Sequence, residues 1–319
     1  MAENRLLCNE RGSSREPRER SRRGGLLGLV AVAVALLVPA APALAKELTG
    51  PFAAFKQCPR FTQGVNFCVS ATIEGGGMKI GNGGVAIVNP IILQGGYERN
   101  EEKTPVTETF HGALNGETLS NTPQPIPGGL AGLINCEELP ARGFWQHGWR
   151  RVCKAIFQDT QLTGLSSTLE LAGPPSSIEI SSDNLINEEG ISLSLPVKIH
   201  LENPLLGRGC YIGSDRNPIV LNLTDGATQP PAPPISGKLG NLDQFEYEGY
   251  PYIEITNNTQ VDDAFAVPKA RDCGGFLSFL IDPLINAKLG LPSEPGHNAI
   301  LQNGSQKLAT AEDVIALEK

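Results

Sequence analysis

The densest concentration of chemically capable side chains is Phe144-Trp-Gln-His-Gly-Trp-Arg-Arg151, which holds both tryptophans of the chain, one of its four histidines and two adjacent arginines. In an extended segment Trp145, His147 and Trp149 project on one side. Indoles so placed would stack on a saccharide ring or a planar ligand, with Arg150 and Arg151 supplying charge. The same indoles would serve to fill a loop beside a Cys136–Cys153 bridge, and the sequence leaves both uses open.

A second cluster is Asp262-Asp263, with Asp272 and Asp282 close in sequence. Paired carboxylates suit acid–base work or a calcium ion, although adjacent aspartates on an acidic surface are ordinarily solvated. His111, His200 and His297 are scattered, and His200 falls on the polar side of a strand, facing solvent. Local signatures of catalysis are missing: there is no Gly-x-Ser-x-Gly elbow, His-Glu-x-x-His helix, phosphate loop or Asp-x-Asp-x-Asp-Gly loop. No catalytic residue, metal site or cofactor is expected from motifs, although triads also assemble from distant positions.

What positions such residues depends on where the chain folds. Seven arginines precede residue 24, an apolar run Leu26–Val38 follows, and Ala43-Leu44-Ala45 supplies a small-x-small pattern. This is the layout of a secretory signal peptide cleaved after Ala45. The run is too short to span a bilayer, and no later stretch is long and uncharged enough, so no transmembrane segment is expected in the mature chain. The expected organisation is a leader over 1–45 and one domain over 46–319, secreted or held at the cell surface.

Export places the chain where thiols oxidise. Beyond Cys8, six cysteines remain, Cys58, Cys68, Cys136, Cys153, Cys210 and Cys273. Six allow fifteen pairings. Loop closure is easiest between near neighbours, which favours Cys58–Cys68, Cys136–Cys153 and Cys210–Cys273. No pair has the spacing of a zinc site.

The leader carries seven arginines against four glutamates, so the mature part holds 19 Lys+Arg against 30 Asp+Glu. Nucleic acid is excluded as a partner on this balance, because its binding rests on clustered cations.

The scaffold is read from periodicity. Ile191, Leu193, Leu195, Val197, Ile199 and Leu201 alternate with polar residues, a strand with one buried face. Pro196 inside it cannot donate to a ladder and suggests an edge or a bulge. Shorter alternations at Ile178/Ile180, Val85–Leu93, Ile219–Leu223 and Ile253/Ile255 are separated by Gly, Pro, Asn and Asp. Helix is expected only at Phe276–Leu289, interrupted by Pro283, and at Ala311–Leu317. The fold class is therefore mainly β, an antiparallel sandwich or partly open barrel with one or two short helices near the C-terminus.

The stretch SLPVKIHLENPLLGRGCYIGS within Leu193–Ser214 resembles exported, disulfide-bearing proteins of actinobacteria, as do Asn217–Thr224, Leu289–Ser293 and Asn298–Gly304. The resemblance implies an extracytoplasmic location and contributes no catalytic residue. The function expected is that of a secreted, non-catalytic binding or structural protein, partnered by an envelope component, a saccharide or an apolar small molecule. The alternative is an extracellular hydrolase of envelope polymers or lipids, its catalytic groups brought together from distant positions.

Overall fold

A computed structural model of the chain describes residues 46–133, 150–151, 154–155 and 164–319. The leader, Trp145, His147, Trp149, Cys136 and Cys153 lie outside the described residues, and with them the expected Cys136–Cys153 bridge.

The described strands form two antiparallel sheets, neither closed into a barrel. The first contains β1 (Phe67–Ile80), β2 (Gly83–Ala86), β3 (Ile91–Asn100), β4 (Thr107–Gly112), β11 (Asn241–Tyr247), β12 (Tyr250–Asp262) and β14 (Ala299–Thr310). Their order is β11-β12-β14-β1-β3-β4, with β2 also on β1. The second contains β5 (Gln124–Pro125), β6 (Ser166–Leu171), β7 (Glu179–Ile180), β8 (Leu193–Glu202), β9 (Tyr211–Ile212), β10 (Ile219–Leu223) and β13 (Ala270–Arg271). It runs β13-β9-β8-β6-β5, and β8 also pairs with β7 and β10. Four helices, α1 (Gly129–Leu133), α2 (Ser182–Asn187), α3 (Ser278–Leu289) and α4 (Ala311–Leu317), are accompanied by short 3-10 turns and by helical residues at Arg150, Arg151, Lys154 and Ala155.

The alternating strand of the sequence is β8. Its Leu193, Leu195, Val197, Ile199 and Leu201 enter a core shared with Met78, Ile91, Leu93, Phe110 and Ile300 of the first sheet. Pro196 marks neither an edge nor a bulge. One flank of β8 pairs with β7 at Leu193 and Ser194 and with β6 from Val197 onward, so Pro196 falls in the gap between two short partners. No ladder donor is needed there, and its carbonyl still accepts the N–H of Ala172 at 2.9 Å.

Pro283 likewise does not interrupt α3. It lies on the exposed face, where water can serve the carbonyl it leaves unpaired, while Ile281, Leu284, Ile285 and Leu289 are buried. Gly290 ends the helix in the left-handed region, φ 68°. Phe276, expected on the apolar stripe, precedes the helix and is 88 % exposed. The terminal helix α4 matches its expected span, with Thr310 capping the N–H of Asp313 at 3.1 Å.

The outer face of the first sheet is covered as well. A 3-10 turn over Gly50–Phe55 and the helix α4 pack Phe52, Phe55, Val314 and Leu317 against Cys68, Tyr252 and Ala309. Full burial of a phenylalanine such as Phe52 stabilises by about 2–3 kcal/mol. Arg60 binds the Glu318 carboxylate with two donors, joining the start of the domain to its end.

Both disulfides that fall within the described residues are paired as expected. Cys58–Cys68 fastens the 3-10 segment to β1, and Cys210–Cys273 joins the chain ahead of β9 to the chain following its partner β13. In the chain-entropy account, removing Cys210–Cys273 (separation 63) lowers the unfolding free energy by about 4 kcal/mol, and removing Cys58–Cys68 (separation 10) by about 3 kcal/mol. Urea denaturation of the two paired Cys→Ser variants measures both. A reversed order would show that native packing, not loop length, sets their contributions.

Candidate functional site

Where the sheets face each other they do not fully interdigitate. Val69, Ala71 and Ile73 of β1, with Ile253, Ile255 and Leu308 from β12 and β14, stand opposite Leu193, Leu195 and Leu221, and a cavity of about 150 Å³ lies between them. A protein cavity of that size lined by apolar groups stays dry and takes up a small hydrocarbon. Small residues make the space: Ala71 and Gly304 sit one register apart on neighbouring strands.

The mouth lies between α2 and β11. Ile186 of α2 and Leu242 of β11 line the cavity and are 55 % and 42 % exposed. The short helix is pinned at both ends. Ser181 caps Asn184 at 3.3 Å, and the Ser182 N–H donates to Glu108 Oε2 at 2.8 Å. Glu108 also binds Arg99 at 2.6 Å, and Arg99 reaches Asp183 at 2.9 Å. Beyond the helix, Glu188 accepts the Leu239 N–H at 2.6 Å.

One wall of the cavity is polar. A bulge in β12 between Ile255 and Asn258, with Asn257 at φ 55°, inserts one residue and reverses the phase of the strand. Asn258, Gln260 and Asp262 therefore continue the inward face that Ile253 and Ile255 began. Gln302 and Gln306 of β14 stand beside them. Behind this wall Asp225 is 1 % exposed and accepts from Ser192 Oγ at 2.5 Å, Asn258 Nδ2 at 2.5 Å and Gln260 Nε2 at 3.2 Å. Gln302 Nε2 donates to Gln260 Oε1 at 2.9 Å, and Gln306 Nε2 to Asn258 Oδ1 at 3.2 Å. Burial pushes the Asp225 carboxyl above its ordinary value, and the three donors pull it part of the way back.

The described candidate residues from the sequence do not line this cavity. Arg150 and Arg151 are helical, half-buried and exposed respectively, so the alternation of an extended segment does not continue through them. Trp145, His147 and Trp149 are outside the described residues. Asp262 and Asp263 are not solvated but 2 % and 3 % exposed. Asp262 accepts the Asn222 and Ala264 N–H groups at 2.7 and 2.9 Å, fixing the end of β12 rather than forming an acid–base pair. Asp282 accepts the N–H groups of Asp272 and Cys273 at 3.1 and 2.9 Å. His200 is half-buried, not solvent-facing. It stacks on Tyr211 with centroids 4.5 Å apart, and its Nδ1 lies 3.3 Å from Glu170. Among the described residues no group of three His, Cys, Asp or Glu side chains is placed to hold a metal ion, and no helix is long and apolar enough to cross a membrane.

No protein-family model matches the chain, and no curated protein or solved structure matches it.

Neither Asp225 nor the amides of the wall were candidates from sequence. The usable signal was Ile300, Gln302, Gly304, Gln306, Leu308: an alternation whose inward positions turn polar in mid-strand.

The carboxyls of Asp225, Asp262 and Asp282 are all raised above 3.8, chiefly by burial. A raised folded-state pKa means that the folded chain holds these protons more tightly than the unfolded one. The stability so gained is complete below about 3.8 and is lost as pH rises through the folded values. Glu47 and Glu248 shift the other way, but through exposed ion pairs that salt weakens. At high salt the unfolding free energy in urea is expected to be larger at about pH 3.8, where this contribution is still largely present, than at neutral pH; a flat or opposite trend would contradict the assignment.

Proposed function

We propose that this chain is an exported, non-catalytic binding protein that takes a small apolar molecule, or the hydrocarbon part of a larger one, into the cleft between its sheets. The observation that carries the reading is the cavity itself: apolar side chains from both sheets, space between them, and an opening at Ile186 and Leu242. Burying hydrocarbon there is favourable by about 25 cal/mol per Å². Two disulfides support folding in an oxidising compartment, as the arginine-rich leader suggests.

One contact favours the hydrolase alternative, the Ser192 hydroxyl beside the Asp225 carboxylate. The surroundings favour binding. Ser192 is also engaged with Leu223 O at 3.2 Å and Gln260 at 3.1 Å, and no described histidine is bonded to either group. A carboxylate is far too weak a base to activate a serine unaided.

The neutral fluorophore N-phenyl-1-naphthylamine should bind the purified mature protein saturably. Ala71→Phe, which fills the cavity from β1, should weaken it by about tenfold or more, the worth of the lost apolar contact, with unchanged far-UV circular dichroism. No saturable binding, or equal binding by a folded Ala71→Phe, would remove the reading. Turnover of a p-nitrophenyl acyl ester, lost in Ser192→Ala, would establish the hydrolase instead.

A further inference from the structure

The polar wall is more specific than the apolar body of the cleft, and its hydrogen bonds have a direction. Asp225 can only accept while ionised, so it turns the amide nitrogens of Gln260 and Asn258 toward itself. Each of those amides then presents its oxygen to the next side chain. Gln260 Oε1 takes the Nε2 of Gln302, and Asn258 Oδ1 takes the Nε2 of Gln306. Two relays thus leave the buried carboxylate, and each ends on a glutamine whose nitrogen points inward and whose carbonyl is left over. Neither Gln302 nor Gln306 has a protein donor to its Oε1 among the described residues. Gln302 is 92 % buried, 8 % of its surface being exposed, and it lines the cavity. The Gln302 oxygen is not sealed off, so it is free to accept from whatever occupies the cleft.

Charge narrows the choice of donor. The one cation lining the cleft is Lys307, and it belongs to the opposite face of β14, where it pairs with Glu254 at 3.4 Å. Behind the wall stands Asp225, with Glu188 close enough to act on it, and the two Asp225 oxygens accept from three protein donors. An anionic head would meet no counter-charge and a carboxylate in the second layer. An ammonium would be desolvated in the cleft and held apart from the carboxylate, which lies behind Asn258 and Gln260.

We propose that the wall selects ligands whose apolar body ends in a neutral hydrogen-bond donor, a hydroxyl or a carboxamide, and that Gln302 is the specificity-determining residue. The proposal rests on the cleft being the ligand site. The carboxamide of Gln302 offers its oxygen to a donor on the head group and its second N–H to an acceptor there; a hydroxyl or primary amide supplies both, whereas an ionised carboxylate has only acceptors and leaves the Gln302 oxygen without a donor.

Competition against bound N-phenyl-1-naphthylamine separates this proposal from the reading beneath it. With heads attached to one ten-carbon chain, 1-decanol and decanamide should displace the fluorophore at concentrations roughly tenfold below decanoate or decyl phosphate, the worth of one hydrogen bond made against one left unmade. In Gln302→Leu, and independently in Gln306→Leu should the first fail to fold, the affinity of the fluorophore is measured afresh and the ratio of neutral to anionic displacement should fall to within about threefold. Equal displacement by neutral and anionic heads, or a preference that survives both substitutions, would overturn the head-group assignment and leave the cleft standing. Failure of the fluorophore and of every ten-carbon compound to bind would overturn the cleft and the assignment together.

Discussion

The pairing of β1 with β14 is the constraint on which the remaining structure depends. These strands come from opposite ends of the domain and run antiparallel from Phe67 beside Thr310 to Lys79 beside Ala299. Closing so long a loop is entropically costly and slow to find. What it returns is a two-sided sheet centre. Outward, Cys68 and Ala309 support the terminal helix and the 3-10 segment; inward, Val69, Ala71, Gly304 and Leu308 form one wall of the cleft. The pair also tolerates an irregularity. A bulge between Ile73 and Gly75 brings Gly76, at φ 107°, so close to Leu301 that a Cβ there would lie 2.0 Å from its carbonyl oxygen. Only glycine fits that crossing.

The sheets are joined at one corner by polar contacts instead of packing. Thr224, just past β10, exchanges both backbone hydrogen bonds with Val261 of β12 at 3.0 Å. Asp225 follows, holding Ser192 from the second sheet and Asn258 and Gln260 from the first. A buried carboxylate with this many donors is no gain over well-packed hydrocarbon in stability alone, and breaking it by removing a partner is costly. Its physical effect is directional: it ties two sheets at a fixed corner and sets the orientation of Asn258, Gln260, Gln302 and Gln306 along the polar wall. The opposite side, at α2 and the exposed β11, carries the opening.

Much of the scaffold was legible because burial and periodicity agree where a strand is covered on one face by hydrocarbon. The alternation of β8 announced itself through Leu193 to Leu201 and β10 through Ile219, Leu221 and Leu223, and α4 was expected over the span it occupies. The two described disulfides followed from loop closure. The central strands were less readable. Gly75–Gly77 in β1 and Gln302–Gln306 in β14 are residues that strands ordinarily disfavour. Tertiary pairing overrides that preference, and sequence carries no direct trace of a partner more than two hundred residues away. Pro196 misled for a related reason, since the gap between β7 and β6 that excuses it belongs to the pairing pattern. The polar wall was hidden twice over. Its residues are polar, so they give no apolar alternation, and the bulge at Asn257 shifts the phase, so that extending Ile253 and Ile255 by twos points to the wrong side chains.

That phase shift also bears on why the cavity is amphipathic. Without the extra residue in β12, the inward positions after Ile255 would be Asn257, Thr259 and Val261, and Gln260 would face away from the cleft. The carboxylate relay would then have no first member, and Gln302 no partner. The bulge is thus what converts the end of an apolar cleft into a surface of oriented amides, at the point where β12, still paired with β14, loses β11 as its other partner and goes on to meet the chain after β10. A sandwich stabilised only by its core would gain nothing from such an arrangement, because each inward amide displaces hydrocarbon and must be satisfied. The arrangement does fit the role proposed for the cleft: hydrocarbon walls would supply affinity without regard to structure, and carbonyls held in place by a buried charge would supply the discrimination that hydrocarbon cannot.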